Sequence, residues 1–328
     1  MVSRDATGRL DIAGVVRDAE VRVRPYLRTT PLLPALGLSG RRGHPVVLKC
    51  ENLQHTGSFK ARGALSKVLS LSRRELARGI VTASTGNHGA AVAYAAAIAG
   101  AASVVVVPDG ANPSKLAAIE RLGARIEERG SDSVESELAA RELATDRDAT
   151  FISPYNDPEI IGGQGTVGLE LLEQVEHLEV VYVAVGGGGL ASGVAGIIKS
   201  VSPATRVIGC SPAASAVMYH SLQAGQILEM PSYPTLSDGT AGGVEPGAIT
   251  FEILAELLDD FVTVDEEDIR AAFLELIEVE HLLVEGSAAM TYAAARQHAS
   301  PGEGTTAVIL CGGNVGVDRL RAIIGPDP

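Results

Sequence analysis

The stretch VVYVAVGGGGLASG (residues 180–193) joins an apolar run to four consecutive glycines and then to a small-residue segment. Apolar runs of this kind predict a buried strand, and the segment from Gly189 onward predicts a helix. Glycines at a strand-to-helix turn let backbone N–H groups converge on an anion, and the helix N-terminus adds a partial positive charge. The pattern also fits a dinucleotide fingerprint, but that needs an acidic residue after the next strand, where Gly209, Cys210 and Ser211 stand instead. A single phosphate is therefore the favoured ligand over NAD or FAD, and a glycine turn without a ligand is the remaining alternative.

Strand and helix patterns alternate along the rest of the chain, which predicts an α/β fold with doubly wound, open parallel sheets. The predicted strands are Pro45–Cys50, Gly79–Thr82, Ser103–Val107, Ala124–Glu127, Thr150–Ile152, Val180–Val185, Arg206–Cys210, Phe261–Val264 and Thr306–Cys311. The predicted helices are 58–71, 88–99, 113–122, 133–145, 160–176, 189–200, 214–224, 266–281, 286–297 and 316–324. The Pro/Gly-rich stretch 229–248 predicts a functional loop, and the acidic run 252–268 predicts a solvated face.

Composition excludes several classes of function. The 328 residues carry a formal net charge of −13, with 4% aromatic residues and no tryptophan. This argues against nucleic-acid binding and against an anionic membrane surface as partner. Three dispersed cysteines form no disulfide framework or zinc pattern, so no metal is expected. The N-terminal segment lacks a signal-peptide core and no apolar run could span a bilayer, so we expect a cytoplasmic protein.

Three further motifs follow predicted strands. Ser84-Thr85-Gly86-Asn87-His88-Gly89 opens a helix and offers amides and hydroxyls to a carboxylate, although a capped helix start alone would look the same. In Thr56-Gly57-Ser58-Phe59-Lys60, Lys60 stands just inside a helix start, where a cation is disfavoured and its pKa should fall. Cys311-Gly312-Gly313-Asn314 follows the last strand, where a buried structural cysteine is the alternative.

Taken together, the four motifs predict one site, because open α/β sheets bind ligands at the carboxyl ends of their strands. The glycine turn would bind a phosphate, the Ser84–Gly89 segment a carboxylate, Lys60 would be a nucleophile, and Cys311 would contact a ring. Together these groups specify pyridoxal 5'-phosphate (PLP) and an amino-acid substrate.

The motifs resemble those of the fold-type II PLP enzymes, in the branch of threonine/serine dehydratases (ammonia-lyases) and serine racemases. The similar segments span nearly the whole chain: ENLQHTGSFKARGA (51–64), STGNHGAAVAYAA (84–96), SPYNDPEIIGGQGTVGLEL (153–171), VGGGGLASG (185–193), TLSDGTAGG (235–243), LLVEGSAA (282–289) and CGGNVG (311–316).

The resemblance implies two open parallel-sheet domains with the cofactor in the cleft between them. Residues 1–83 and 154–328 would form the large domain, and residues 84–153 the small mobile one. It also implies a homodimer.

The resemblance implies a role for each motif residue. Lys60 would form the Schiff base and act as acid and base, and Thr85 would be a second catalytic group. The cofactor would be held by Phe59, Lys60, Asn87, Gly186, Gly187, Gly188, Gly189, Leu190, Glu285 and Cys311. The substrate would be held by Ser84, Thr85, Asn87, His88, Asp238 and Gly239.

The implied reaction is α,β-elimination from a 3-hydroxy amino acid such as L-threonine or L-serine, giving a 2-oxo acid and ammonia. Three departures from the family pattern matter. Thr85 replaces the serine of the racemases, and Ser211 replaces a glutamate of the metal-binding members. The chain also ends soon after the catalytic core, so we expect a catabolic enzyme without feedback control. An amino-acid racemase and a dehydratase of hydroxyectoine breakdown, on the same scaffold, remain open alternatives.

Overall fold

The computed structural model describes residues 10–42, 44–298 and 304–325 and contains two β-sheets flanked by helices. The strands are β1 (Leu32–Pro34), β2 (Val46–Cys50), β3 (Ile80–Ala83), β4 (Ser103–Val107), β5 (Arg125–Glu128), β6 (Thr150–Phe151), β7 (Leu178–Ala184), β8 (Arg206–Pro212), β9 (Asp260–Val264) and β10 (Thr305–Leu310). All nine predicted strands are present, each within two residues of its predicted ends.

The helices mostly connect consecutive strands. They are α1 (Ile12–Val23), α2 (Leu36–Arg42), α3 (Lys60–Ser70), α4 (Arg73–Arg78), α5 (Asn87–Ala99), α6 (Pro113–Glu120), α7 (Ser133–Asp146), α8 (Pro158–Gln174), α9 (Gly189–Val201), α10 (Val217–Ala224), α11 (Ile249–Leu257), α12 (Glu266–Glu278), α13 (Gly286–Gln297) and α14 (Val317–Ile324). The ten predicted helices are all present, and α1, α2, α4 and α11 are additional.

The larger sheet has the strand order β1-β2-β10-β7-β8-β9. Strands β2 and β7 to β10 are parallel, and their apolar side chains lie in one core between helices on both faces. Within the described residues, the exception to the predicted parallel arrangement is β1, which pairs antiparallel with β2 at one edge. This strand has three residues and ends in a proline, which sheets tolerate at an edge.

The smaller sheet has the order β5-β4-β3-β6 and is parallel throughout. Strand β3 belongs to this sheet, although residues 80–83 lie on the large-domain side of the predicted boundary at residue 84. The α/β fold with open, largely parallel sheets is thus confirmed, while the exact domain boundaries stay a prediction.

The acidic run 252–268 forms regular elements, two of which, β9 and the start of α12, match the predicted strand and helix. It contributes to α11, β9 and α12, with Leu254 and Val264 buried at 1% exposure each. Its acidic residues lie between these apolar positions, so the solvated face is only one side of folded elements. Across the described ranges, no helix is long and apolar enough to cross a membrane.

Candidate active site

A cavity of about 1000 Å³ opens at the carboxyl ends of β2, β3, β7 and β10. This is the edge where parallel sheets place ligand-binding loops. Every predicted site residue lines it: Phe59, Lys60, Ser84, Thr85, Asn87, His88, Gly186, Gly187, Gly188, Gly189, Leu190, Asp238, Gly239, Glu285 and Cys311. The predicted convergence of the four motifs is therefore seen in the structure.

Lys60 is the first residue of α3 and reaches into the cavity. Its Nζ donates a hydrogen bond to the Pro154 carbonyl oxygen at 2.8 Å and lies 5.2 Å from the centre of the Phe59 ring. Burial disfavours the charged ammonium and lowers the pKa of Lys60 to about 8, against the opposing influence of Glu285 and Cys311. At pH 7 about a tenth of this amine is thus neutral and nucleophilic, far more than for an ordinary lysine.

Backbone pairing fixes the Lys60 segment against the segment that begins at Cys311. The Phe59 N–H donates to the Cys311 carbonyl at 3.0 Å, and Ser58 forms an isolated antiparallel bridge with Gly312. The Gly313 N–H donates to the Gly57 carbonyl at 2.9 Å. Backbone hydrogen bonds therefore hold the segment that carries Lys60 next to the segment that carries Cys311.

The four glycines form a cradle of unbonded amides at the start of α9. Within the described chain, no backbone carbonyl accepts from the N–H groups of residues 186–191, whereas Ser192 bonds Gly188 normally. Gly188 has φ of +90°, which side-chain-bearing residues rarely adopt. At Gly187, a Cβ would lie well inside the 3.0 Å limit of real Cβ contacts with the Tyr155 ring. The free amides and the tight wall together suit an anion such as phosphate.

A second set of amides lies at the start of α5, where the N–H groups of Asn87 and His88 have no backbone acceptor within the described chain. Gly86 provides no side-chain cap, and its N–H is bonded to Ser84 Oγ at 3.1 Å. The His88 Nε2 lies 3.2 Å from the Ile152 carbonyl oxygen, and burial lowers the pKa of His88 to about 3. The imidazole is therefore neutral and turned to the backbone, so its backbone N–H is what this residue offers to a ligand.

Glu285 connects these loops across the cavity. Its carboxylate accepts from Asn87 Nδ2 at 2.8 and 3.1 Å and lies 3.8 Å from the Cys311 Sγ. Burial raises the pKa of Glu285 to about 7, although the hydrogen bond from Asn87 opposes this. Burial, followed by the charge of Glu285, raises the pKa of Cys311 well above its usual value. The thiol is thus protonated.

The predicted loop 229–248 contributes the remaining wall. Asp238 and Gly239 lie in a 3-10 turn, Asp238–Thr240; both are exposed and line the cavity. Sequence reasoning did not single out three other lining residues, Tyr155, Arg141 and Glu245. Tyr155 follows β6 closely, so its position after a strand was an available signal.

Across the described ranges, no group of three or more His, Cys, Asp and Glu side chains could hold a metal ion. Ser211 is buried at 1% exposure and donates its hydroxyl to the Val185 carbonyl at 2.6 Å.

Comparison with known proteins agrees with this geometry. Residues 23–312 match the family model described as pyridoxal-phosphate dependent enzyme. An L-threonine ammonia-lyase of Geobacter sulfurreducens is 39% identical over 94% of this chain and 77% of its own length. A serine racemase of Arabidopsis thaliana is 36% identical over 93% of both chains. The crystal structure of a threonine deaminase from T.th. superposes with a TM-score of 0.86 at 39% identity, covering 92% of this chain and 98% of its own.

This chain belongs to the family of PLP-dependent enzymes, and its predicted fold type and cofactor are confirmed. The residues present also fit the cofactor on structural grounds. The amide cradle at residues 186–191 suits its phosphate, and the Lys60 amine suits its aldehyde.

Proposed function

We propose that the protein is a PLP-dependent ammonia-lyase that converts a 3-hydroxy amino acid, L-threonine or L-serine first, to a 2-oxo acid and ammonia. The observation that carries this proposal is the pairing of a lysine of lowered pKa with a protonated thiol, Cys311, held beside it. In the overall reaction the α-proton and the β-hydroxyl leave as water. Water then replaces the nitrogen, which departs as ammonia. The threonine ammonia-lyase and threonine deaminase relatives support the same reaction.

The cofactor would be held mainly by backbone groups. The amides of Gly186 to Gly189 and of Leu190 would hold the phosphate, and Phe59 would lie beside the ring. Asn87 would offer Nδ2 to the ring hydroxyl in exchange for one of its bonds to Glu285. Cys311 would face the ring nitrogen as a neutral thiol, too weak an acid to keep that nitrogen protonated.

The substrate carboxylate would lie at the start of α5. Ser84 and Thr85 would offer hydroxyls, and the backbone N–H groups of Asn87 and His88 are unbonded within the described backbone. Asp238 and Gly239 would close the side of the cavity from which the side chain of the substrate enters.

Lys60 would move the proton. PLP, when bound, withdraws electrons from the substrate Cα and so makes its proton acidic. The neutral Lys60 Nζ would accept that proton, because burial keeps the pKa of this amine near the working pH. Glu285, buried next to Asn87 and Cys311, would hold these two side chains in position around the ring.

An ammonium-release screen tests the proposal. PLP-loaded protein is incubated with L-threonine, L-serine, other 3-hydroxy amino acids and hydroxyectoine-derived substrates, and ammonium and 2-oxo acid are quantified. We expect equimolar 2-oxobutanoate and ammonium from L-threonine, and none with Lys60→Ala. Absence of ammonium from every substrate in cofactor-loaded protein would contradict the proposal.

An amino-acid racemase is the second candidate, favoured by the Thr85 hydroxyl in the cavity wall and by the serine racemase relative. Racemisation needs a second acid on the face of the substrate opposite Lys60. A β-branched threonine has restricted rotamers there, which favours elimination. Chiral chromatography of the recovered serine separates the two activities.

We further propose that the small domain, residues 84–153 extended to include β3, moves against the rest, and that the chain works as a cytoplasmic homodimer. The exposed apolar side chains of Leu36, Leu53 and Leu283 support a self-association surface on the large domain. Sedimentation equilibrium distinguishes a dimer from a monomer.

A further inference from the structure

A charged cluster lines the cavity between α7 and the loop that follows the Asp238–Thr240 turn. We call the elements from β3 to β6 the small-sheet unit, and the elements around the β1-β2-β10-β7-β8-β9 sheet the large-sheet unit. Arg141, on α7 of the small-sheet unit, donates from Nη2 to Glu245 Oε2 at 2.9 Å and to Glu137 Oε1 at 2.7 Å. Glu245 belongs to the loop after the Asp238–Thr240 turn, in the large-sheet unit. All three side chains line the cavity. The ion pair between Arg141 and Glu245 therefore joins the two units at the wall of the cavity.

Arg141 is better fixed than an ordinary surface cation. Its guanidinium carbon lies 4.4 Å from the centre of the Phe151 ring, and its Nε also bonds Glu137 at 3.1 Å. Stacking on an aromatic face restricts the guanidinium plane and adds a favourable cation–π interaction. The arginine thus points at Glu245 from a prepared position on the small-sheet unit.

Glu245 is held by Tyr155, a residue that also packs against the phosphate cradle. Its backbone N–H donates to the Tyr155 hydroxyl at 2.9 Å. Tyr155 packs so closely on Gly187 that this glycine has no room for a Cβ, and a Cβ at Gly189 would lie in tight contact with Tyr155, at 3.0 Å. A continuous path of contacts therefore runs from the cradle through Tyr155 and Glu245 to Arg141 and α7.

We propose that Arg141 and Glu245 form a clasp that holds the small-sheet unit closed over the cofactor cleft, with Tyr155 coupling the clasp to the phosphate cradle. Arg141 is then a positioning residue: it excludes water and keeps the α5 amides near the substrate without touching the reacting atoms. Closure of this kind completes a site and often limits turnover. The clasp rests on the proposed function in that it lies at the same cleft. Deuterium uptake and the rate of PLP loss, which report on the clasp, can be measured without substrate.

The test compares PLP-loaded wild type with Arg141→Gln, Glu245→Gln and the exchanged pair Arg141→Glu/Glu245→Arg. Arg147→Gln is the matched control, because Arg147 bonds Glu127 within the small-sheet unit and is equally exposed at 40%. The readouts are deuterium uptake in residues 241–246 and the rate at which PLP is lost after dilution. For Arg141→Gln, which loses the ion pair and the stacking on Phe151, we expect both rates to rise about tenfold. For Glu245→Gln, which leaves the stacking in place, we expect a rise of about threefold.

The exchanged pair should lower both rates from those of Arg141→Gln toward wild type without reaching it, because a carboxylate at position 141 cannot stack on Phe151 and lies beside Glu137. Arg147→Gln should change neither rate. High salt should raise both rates in wild type and leave Arg141→Gln unchanged, because only the wild type has an ion pair to screen. Tyr155→Phe should release PLP faster while leaving the Arg141 pair intact. The clasp is wrong if Arg141→Gln matches wild type in both rates, or if Arg147→Gln changes them as much. A protein that meets these expectations but releases no ammonium would contradict the proposed function and leave the clasp standing.

Discussion

Burial of Lys60 at the start of α3 predicts an amine that titrates near pH 8 in the cofactor-free protein. The lowering from the ordinary value of 10.5 to about 8 arises from desolvation of the ammonium. At pH 7 a pKa of 8 leaves about one amine in ten neutral, whereas 10.5 would leave about three in ten thousand. The structure therefore predicts a gain of about 300-fold in the fraction of reactive amine.

Competitive labelling with trace acetic anhydride measures this titration. Cofactor-free protein is labelled between pH 6 and 11 and digested, and acetylation of the Lys60 peptide is compared with that of Lys199, which lies on α9. We expect the midpoint for Lys60 near pH 8. In Glu285→Gln the midpoint should fall further, because the carboxylate that favours the ammonium is gone. A midpoint at pH 10 or above in wild type would refute the argument that burial prepares this lysine for reaction.

The buried polar groups and the cradle support three further predictions. Arg62→Met leaves the Glu51 and Glu170 carboxylates buried without the guanidinium that bonds both, so urea unfolding should show a loss of about 3–5 kcal/mol; a loss below about 1 kcal/mol would contradict this. Gly187→Ala forces Tyr155 away from the cradle, so equilibrium dialysis should show PLP binding at least tenfold weaker, while Gly40→Ala, which meets open space, should bind normally. The folded-state pKa of Glu285 is raised from 4.5 to about 7, so its contribution to stability is present below pH 4.5 and lost as the pH rises through 7. The free energy of unfolding of Glu285→Gln, measured relative to wild type, should therefore rise by up to about 3 kcal/mol between pH 5 and 8. A difference between the two proteins that does not change with pH would contradict the raised pKa.

The large-scale architecture could be predicted because its determinants are local. Each buried parallel strand reads as a continuous apolar run, and glycine-rich turns mark where strands end. The same logic placed Lys60, Asn87, the four glycines and Cys311 at one edge, since parallel strands bring their carboxyl ends together. Helix α1 was missed although Asp11 caps it and its buried positions follow a helical period.

Other features depend on packing that no local pattern reports. Strand β1 has three residues and forms because it pairs with the free edge of β2. The pairing of Arg141 with Glu245 joins positions 104 residues apart, and Glu245 lies in a loop without periodicity. The turn of His88 toward Ile152 is set by burial of the imidazole, which the motif itself does not specify.

Reduction of the PLP-loaded protein with borohydride, followed by peptide mass spectrometry, tests the central claim most directly. Reduction fixes the cofactor permanently on the nitrogen that carries it. The account predicts a phosphopyridoxyl group on the peptide containing Lys60, in stoichiometric amount, and on no other lysine. Modification of Lys49, Lys67 or Lys199 instead, or no modification at all, would contradict the assignment of Lys60 as the residue that holds PLP.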